Sequence, residues 1–171
     1  MRLVETPLLE RIAGVLTFDE YAYSESAADT DATGTALLIV IGVGLLQGIS
    51  QLPDTGLAGL WAEVGQWSAL WAVWLLAVFV LSHALGCPCD LAALLRVFGL
   101  AAVPFGLGLL QELPWLGFFF GWGKWILGLA AASAATAQVT DLSKLSALGV
   151  CTAGLVLARL ATIPLGWLFG N

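Results

Sequence analysis

Residues 67–85 read WSALWAVWLLAVFVLSHAL. This stretch contains no Asp, Glu, Lys or Arg, and a helix of about this length crosses the hydrocarbon core of a bilayer. Inside a bilayer the backbone polar groups must be satisfied within the segment, which a helix achieves. The stretch therefore predicts a membrane-spanning helix.

Four further apolar runs of similar length are spread along the chain. They cover residues 34–52, 91–110, 116–137 and 145–169. The first connection holds Pro53, Asp54 and an amphipathic stretch at 57–61 that is predicted to lie at the membrane interface. The other connections are short, and short connections make sequential helices antiparallel neighbours. The predicted fold class is an all-α membrane protein, with a bundle of five transmembrane helices over residues 34–171.

Residues 1–33 are predicted to form a short cytoplasmic segment that is helical, amphipathic and acidic. Apolar residues fall on one side of its first helix, namely Leu8, Leu9, Ile12, Val15 and Leu16. A second short helix is expected through Tyr21 and Tyr23. The acids that follow, among them Asp29 and Asp31, either form a solvated face or attract a basic partner or cations.

The composition excludes several classes of protein. Of the 171 residues, 60% are hydrophobic and 11% are charged, whereas soluble domains are about 25% charged. The six bases form no cluster, which argues against a nucleic-acid partner. Three cysteines give no disulfide framework. No recognised catalytic set of residues is present, so neither an enzyme nor a cofactor is predicted.

The basic residues predict how the chain crosses the membrane. With a cytoplasmic N-terminus, one side of the membrane receives Arg2, Arg11, Arg96 and Lys144. Cytoplasmic loops carry such an excess of bases. The opposite interface then receives four aromatic residues that prefer such a position, Trp61, Trp67, Trp115 and Trp167.

Two bases lie near the middle of predicted spans, Lys124 in the fourth and Arg159 in the fifth. A charge at this depth costs about 2.5–3.5 kcal/mol on insertion scales and needs a partner, water or a route to the interface. Glu112, at the outer end of the third span, is the nearest predicted acid. One interpretation is an anion or lipid-headgroup site built by these three residues. The alternative is a packing network with snorkelling side chains.

A second candidate site lies at the inner end of the second span. His83, Cys87 and Cys89 form the string H-x3-C-P-C, and thiolates and imidazoles are ligands for soft metals. Only three ligands are present, so the alternative is an ordinary loop without metal.

Two stretches resemble the bacterial branch of the Yip family of integral membrane proteins. They read LLERIAGVLTFDEYAYSESAADTDATGTALLIVIGVGLLQGI at 8–49 and LLRVFGLAAVPFGLGLLQELPWLGFFFGWGKWILGLAAASAA at 94–135. The first shared feature is an acidic stretch that runs into Ala-Leu-Leu at 36–38. The others are Leu95-Arg96 with Pro104 after it, and Leu113-Pro114 with Trp125 after it. The resemblance implies a five-helix domain with a cytoplasmic N-terminus.

The resemblance does not carry over the trafficking role of eukaryotic Yip proteins, which contact prenylated Rab-type GTPases. Their Asp-Leu-Tyr-Gly-Pro signature is absent, and Ala-Ala-Thr stands at 134–136 where the family pattern has an arginine. Lys124 and Arg159 match no motif of the family.

Three hypotheses about function follow. The first is a non-catalytic scaffold or accessory protein of the prokaryotic cytoplasmic membrane, which packs against lipids, other membrane proteins or a second copy of itself. The second is a transporter or channel for a small anion or lipid headgroup that uses Lys124 and Arg159. The third is metal handling at the His83 string.

Overall fold

The structure is a computed structural model that describes the backbone of residues 8–50 and 52–169 and the side chains of 12–50, 52–111 and 113–163. Seven α-helices and one 3-10 helix make up the described chain: α1 (Leu8–Leu16), α2 (Glu20–Ala28), α3 (Ala32–Ile49), α4 (Leu52–Ala84), α5 (Leu91–Leu100), the 3-10 helix (Val103–Glu112), α6 (Gly117–Val139) and α7 (Lys144–Phe169).

Five segments are long and apolar enough to span a membrane. They are Ala32–Ile49, Leu52–Ala84, Leu91–Gln111, Gly117–Val139 and Lys144–Ile163. The prediction of an all-α fold with five spanning helices is confirmed, and the first span begins at Ala32 rather than at residue 34. Because the spans alternate in direction, α4 ends near the start of α7. We call this the Lys144 end of the bundle, and the opposite one the Glu63 end.

The third span changes its winding halfway along. Helix α5 ends at Leu100, and the 3-10 helix begins at Val103 with Pro104 in its first turn. Proline has no N–H for the helix ladder, and its ring clashes with the carbonyl four residues earlier. The α-helix therefore stops before Pro104.

Helix α4 begins earlier than the sequence predicts. It runs over Leu52–Ala84 with one non-helical residue, Gly56, at φ 66° and ψ −157°. This left-handed φ favours glycine, and the chain is helical again from Leu57. The prediction that the second span starts at Trp67 is therefore wrong. Residues 57–61 are part of α4, and their place at the membrane interface stays a prediction. The earlier start places Glu63 on a helix of the bundle.

Three tryptophans on one face of α4 bond to three different helices. The indole N–H groups of Trp67, Trp71 and Trp74 donate to the carbonyls of Val40 in α3, Phe98 in α5 and Cys151 in α7, at 2.9, 3.4 and 2.9 Å. Trp67 is 4% exposed, so its ring packs inside the bundle, and its depth in the membrane stays a prediction. A buried indole N–H needs an acceptor, and these carbonyls supply one.

An aromatic cluster fills the centre of the bundle around Phe105. The Phe105 ring lies 5.0 Å from Trp67, 6.0 Å from Trp74 and 5.1 Å from Trp125, measured between ring centroids. A Cβ atom added at Gly128 would lie 2.1 Å from the Phe105 ring. Glycine at 128 therefore makes room for the ring between α4 and α6.

Helices α1 and α2 fold against each other. The buried Tyr23 hydroxyl donates to the Val15 carbonyl at 3.3 Å, and burial raises the pKa of Tyr23 above its ordinary value. Helix α2 also packs against α5 and α6. The N-terminal segment is therefore docked on the bundle.

Candidate functional site

A cavity of about 440 Å³ lies between α3, α4, α6 and α7. Five polar side chains line it, Gln47, Glu63, Gln66, Arg159 and Thr162, together with the apolar or aromatic Trp67, Leu70, Trp125 and Ile163. An acid and a base thus face one cavity inside a largely apolar bundle. Such a combination of apolar walls and a few convergent polar groups is typical of ligand sites.

Helical spacing brings these side chains together. Glu63, Gln66, Trp67 and Leu70 follow the i, i+3, i+4, i+7 pattern that places residues on one face of α4. On α7, Arg159, Thr162 and Ile163 occupy the i, i+3 and i+4 positions of the same pattern. The cavity therefore lies where these two faces meet.

Arg159 is held by an aromatic ring. Its guanidinium carbon lies 4.4 Å from the ring centroid of Trp125, close enough for a cation–π interaction. Trp125 packs edge-on against Phe105, so the aromatic cluster supports the ring beneath the cation. The arrangement orients the guanidinium without occupying all of its N–H donors.

Glu63 is close enough to interact electrostatically with Arg159. Among the described residues, however, no ion pair joins these two side chains. An acid and a base that share a cavity without direct contact leave hydrogen-bonding capacity on both sides. A molecule in the cavity can therefore present an acceptor to Arg159 and a donor to Glu63.

Gln47 adds an unmet donor to the cavity wall. Its side chain is 8% exposed, and within the described part of the chain its amide nitrogen Nε2 is buried without a hydrogen-bond partner. Buried polar groups are nearly always satisfied. The amide nitrogen therefore lies behind the cavity surface, and the side chain must turn before a molecule in the cavity can accept from it.

Lys124 occupies a different place from Arg159. It is 7% exposed, its Nζ donates to Gln111 Oε1 at 2.9 Å, and it crosses over Gly108, where an added Cβ would lie 3.0 Å from Nζ. Lys124 does not line the cavity that Arg159 lines. The side chain of Glu112 lies outside the described residues.

A second recess, the α6–α7 groove, has a volume of about 450 Å³. Apart from Arg159 its walls are apolar or aromatic, with Trp122, Trp125, Ile126, Leu129, Leu155, Val156 and Leu160. Arg159 lines both the groove and the cavity. The guanidinium therefore stands at the boundary between a polar and an apolar recess.

Arg96, Lys144, Asp29 and Asp31 all lie near the Lys144 end, where the N-terminal segment joins the bundle; the side chains of Arg2 and Arg11 lie outside the described residues. Buried Arg96 donates through Nε at 3.0 Å, and also through Nη2, to the Ala27 carbonyl near the end of α2. Lys144 pairs with Glu20. The Asp29 carboxylate accepts from the Asp31 N–H at 3.0 Å in the turn before α3.

Lowering the pH is expected to weaken the link between α2 and α7. The hydrogen bond and the charge of Lys144 hold the pKa of Glu20 below its ordinary value of 4.5. A carboxylate with a depressed pKa stabilises the folded state above the ordinary value, and this stabilisation disappears as the pH falls through the depressed one. The effect is small, because both side chains are exposed.

Thermal unfolding of the wild type and of Lys144→Ala measures this effect. The two melting temperatures are expected to differ slightly at neutral pH and to converge once the pH lies below the folded-state pKa of Glu20. Lys144→Arg serves as the control that keeps the charge. A difference that persists unchanged at low pH would show that the ion pair is not its cause.

The structure does not gather the residues of the predicted metal site. His83 bonds through Nδ1 to the Phe79 carbonyl at 2.9 Å and stacks on the Phe79 ring. Cys87 faces the carbonyl of Leu85 at 3.9 Å. Among the described side chains, those of residues 12–50, 52–111 and 113–163, no three of His, Cys, Asp or Glu come together as a metal site.

Comparison of the chain with family models, curated proteins and solved structures finds no match in any of the three. The resemblance to the Yip family stays a prediction. The fold and the cavity define an integral membrane protein with five spanning helices and a charged recess within the bundle.

Proposed function

We propose that the protein is a non-catalytic accessory protein of the membrane that binds a phospholipid headgroup in the Glu63–Arg159 cavity. The observation that carries the proposal is the position of Arg159, held over Trp125 at 4.4 Å and lining the cavity. A guanidinium stays charged and presents several donors in a fixed plane, which suits phosphate oxygens.

The surroundings of Arg159 favour a ligand that comes from the bilayer. Charges within membrane spans mark functional sites by default, because their insertion is costly. The α6–α7 groove leads from the same guanidinium along apolar side chains. Gln47 contributes a further polar side chain to the cavity wall. A lipid phosphate satisfies the base and brings an apolar tail to the groove.

Binding is favoured over catalysis by the chemistry of the lining. Thr162 is the hydroxyl in the cavity wall, and it donates to the carbonyls of Ala158 and Arg159 at 2.9 and 3.2 Å. Among the described residues that line the cavity there is no histidine or lysine, and no hydrogen bond joins Thr162 to Glu63, the carboxylate of the wall. The transport hypothesis requires Lys124 and Arg159 to line one path, and it receives less support because Lys124 is not among the residues that line the cavity.

Replacing Arg159 with glutamine is expected to remove most of the phospholipid that stays with the purified protein. Loss of a charged donor pair to phosphate corresponds to at least about a tenfold loss of affinity. The measurement is native mass spectrometry of the protein released from mild detergent with defined phospholipid. Arg159→Lys tests the planar stacking and is expected to bind at an intermediate level.

Thr152→Val is the matched control for this test. Thr152 lies exposed on the same helix, bonds to the carbonyl of Leu148 and lines neither recess. It is expected to keep the wild-type level of lipid. If Arg159→Gln, folded as judged by its melting temperature, retains as much lipid as Thr152→Val, the proposed function is wrong.

The proposed orientation places the Lys144 end in the cytoplasm, in the cytoplasmic membrane of a prokaryotic cell. Cys87 and Cys89 lie in the loop at that end, whereas Cys151 is buried in α7. A membrane-impermeant maleimide is therefore expected to label inside-out vesicles and not intact cells. Cys89 should react more slowly than an ordinary thiol, because burial and nearby Asp90 raise its pKa.

The double variant Cys87→Ser, Cys89→Ser is the control for labelling, and it is expected to abolish the signal by leaving only the buried Cys151. Labelling of intact cells that disappears in the double variant would reverse the proposed orientation.

A further inference from the structure

We infer that the bound lipid is a phospholipid whose headgroup carries N–H or O–H donors beyond its phosphate, with the donors on Glu63 and an acyl chain in the α6–α7 groove. The inference rests on the proposed function and adds the chemical class of the ligand.

The order of the recesses along the protein matches the order of groups along such a lipid. Glu63 lines only the cavity, Arg159 lines both recesses, and Leu155 and Val156 line only the groove. In a phospholipid the phosphate stands between the headgroup substituent and the chains. A phosphate on Arg159 therefore sends the substituent towards Glu63 and a chain towards Leu155.

Glu63 decides which substituent fits. A carboxylate only accepts hydrogen bonds, and half-buried Glu63 faces a cavity with apolar and aromatic walls, where a ligand that brings donors is favoured over one that brings none. No ion pair with Arg159 satisfies it among the described residues. An ammonium or hydroxyl headgroup supplies donors, whereas a trimethylammonium headgroup carries the same charge as an ammonium without any donor.

The groove is open to the side of the protein. Four of its residues, Trp122, Ile126, Val156 and Leu160, are more than half exposed, at 61%, 66%, 54% and 60%. A chain that enters between α6 and α7 therefore stays continuous with the bilayer, and the lipid reaches the cavity without leaving the membrane.

The test uses phosphatidylethanolamine and phosphatidylcholine with identical chains, which differ in the donors of the ammonium group. The full-length protein is incubated in mild detergent with equal amounts of both, and the bound lipids are counted by native mass spectrometry. The wild type is expected to hold at least about tenfold more phosphatidylethanolamine. Phosphatidylglycerol, whose headgroup donors are hydroxyls, is expected to be preferred over phosphatidylcholine in the same way.

Two variants divide the inference into its parts. Glu63→Met keeps the length of the side chain and removes the acceptor, so the ratio of the two lipids is expected to fall to about one while binding persists. Asp54→Asn, an exposed acid on the same helix outside both recesses, is the control and should keep the wild-type ratio. Val156→Trp fills the groove and should reduce binding of both lipids.

The outcomes separate the inference from the function beneath it. The inference is overturned if the wild type binds phosphatidylethanolamine and phosphatidylcholine equally, or if Glu63→Met keeps the preference. The proposed function still stands in either case if Arg159→Gln loses both lipids. Equal binding by Arg159→Gln and the wild type overturns the proposed function itself. Displacement of lipid by an equal concentration of glycerophosphoethanolamine, which has no chains, would refute the acyl-chain part.

Discussion

Phe105→Ala is expected to lower the free energy of unfolding by about 3–5 kcal/mol, the range for removing a buried phenyl ring from a packed core. Phe105 is 1% exposed and contacts the rings of Trp67, Trp74 and Trp125. Trp67 and Trp74 are hydrogen-bonded to α3 and α7, and Trp125 bears on Arg159, so the three rings cannot all move in to fill the space. A cavity therefore remains and its lining loses dispersion contacts.

The measurement is SDS-induced unfolding in mixed micelles, followed by tryptophan fluorescence. Phe118→Ala is the matched control, because Phe118 is 71% exposed on the outer face of α6, and little change is expected there. Equal losses of stability in the two variants would show that Phe105 is not the centre of the core.

Arg96→Met is expected to release the N-terminal segment from the bundle. The variant keeps most of the apolar stem but leaves the Ala27 carbonyl without the two donors it has from Arg96. Loss of a buried hydrogen bond to a charged group costs about 1–3 kcal/mol. That cost falls on the contact between α2 and α5, so local opening of α1 and α2 should precede unfolding of the five spans.

Limited proteolysis measures this opening. Cleavage between α1 and α3 is expected to become faster in Arg96→Met while the spanning helices stay protected by detergent. Lys144→Ala, which removes the exposed contact to Glu20, should accelerate cleavage much less. If Lys144→Ala opens the segment as readily as Arg96→Met, the attachment depends on the surface ion pair instead.

The five spans could be predicted because a bilayer imposes a length and a polarity that any window of about 20 residues shows. The start of α4 could not be predicted in this way, since Glu63 and Gln66 lower the hydropathy of residues 53–66. Their spacing with Trp67 and Leu70 was the available signal, and it indicates one polar helix face. This polar face predicts that Glu63 lies on a helix of the bundle, where it can serve as an acid near Arg159.

Two other roles had no signal in the sequence. The preference of tryptophan for membrane interfaces is a statistical rule, and it does not indicate that the Trp67 ring is buried with its N–H on the Val40 carbonyl. Arg96 was assigned to the membrane surface by its charge. Its acceptor lies 69 residues earlier in the chain, and only the packing of α2 on α5 brings the two together.

The hydrogen bonds of the α4 tryptophans also constrain how the protein is made. The acceptor of Trp67 lies in the helix before it, whereas the acceptor of Trp74 is the Cys151 carbonyl, 77 residues further along the chain. During synthesis the second span therefore enters the membrane with an indole whose folded-state acceptor has not yet been translated. Completion of the last span closes the bundle, and a chain truncated before α7 would leave that indole exposed to lipid or to the quality-control machinery of the membrane.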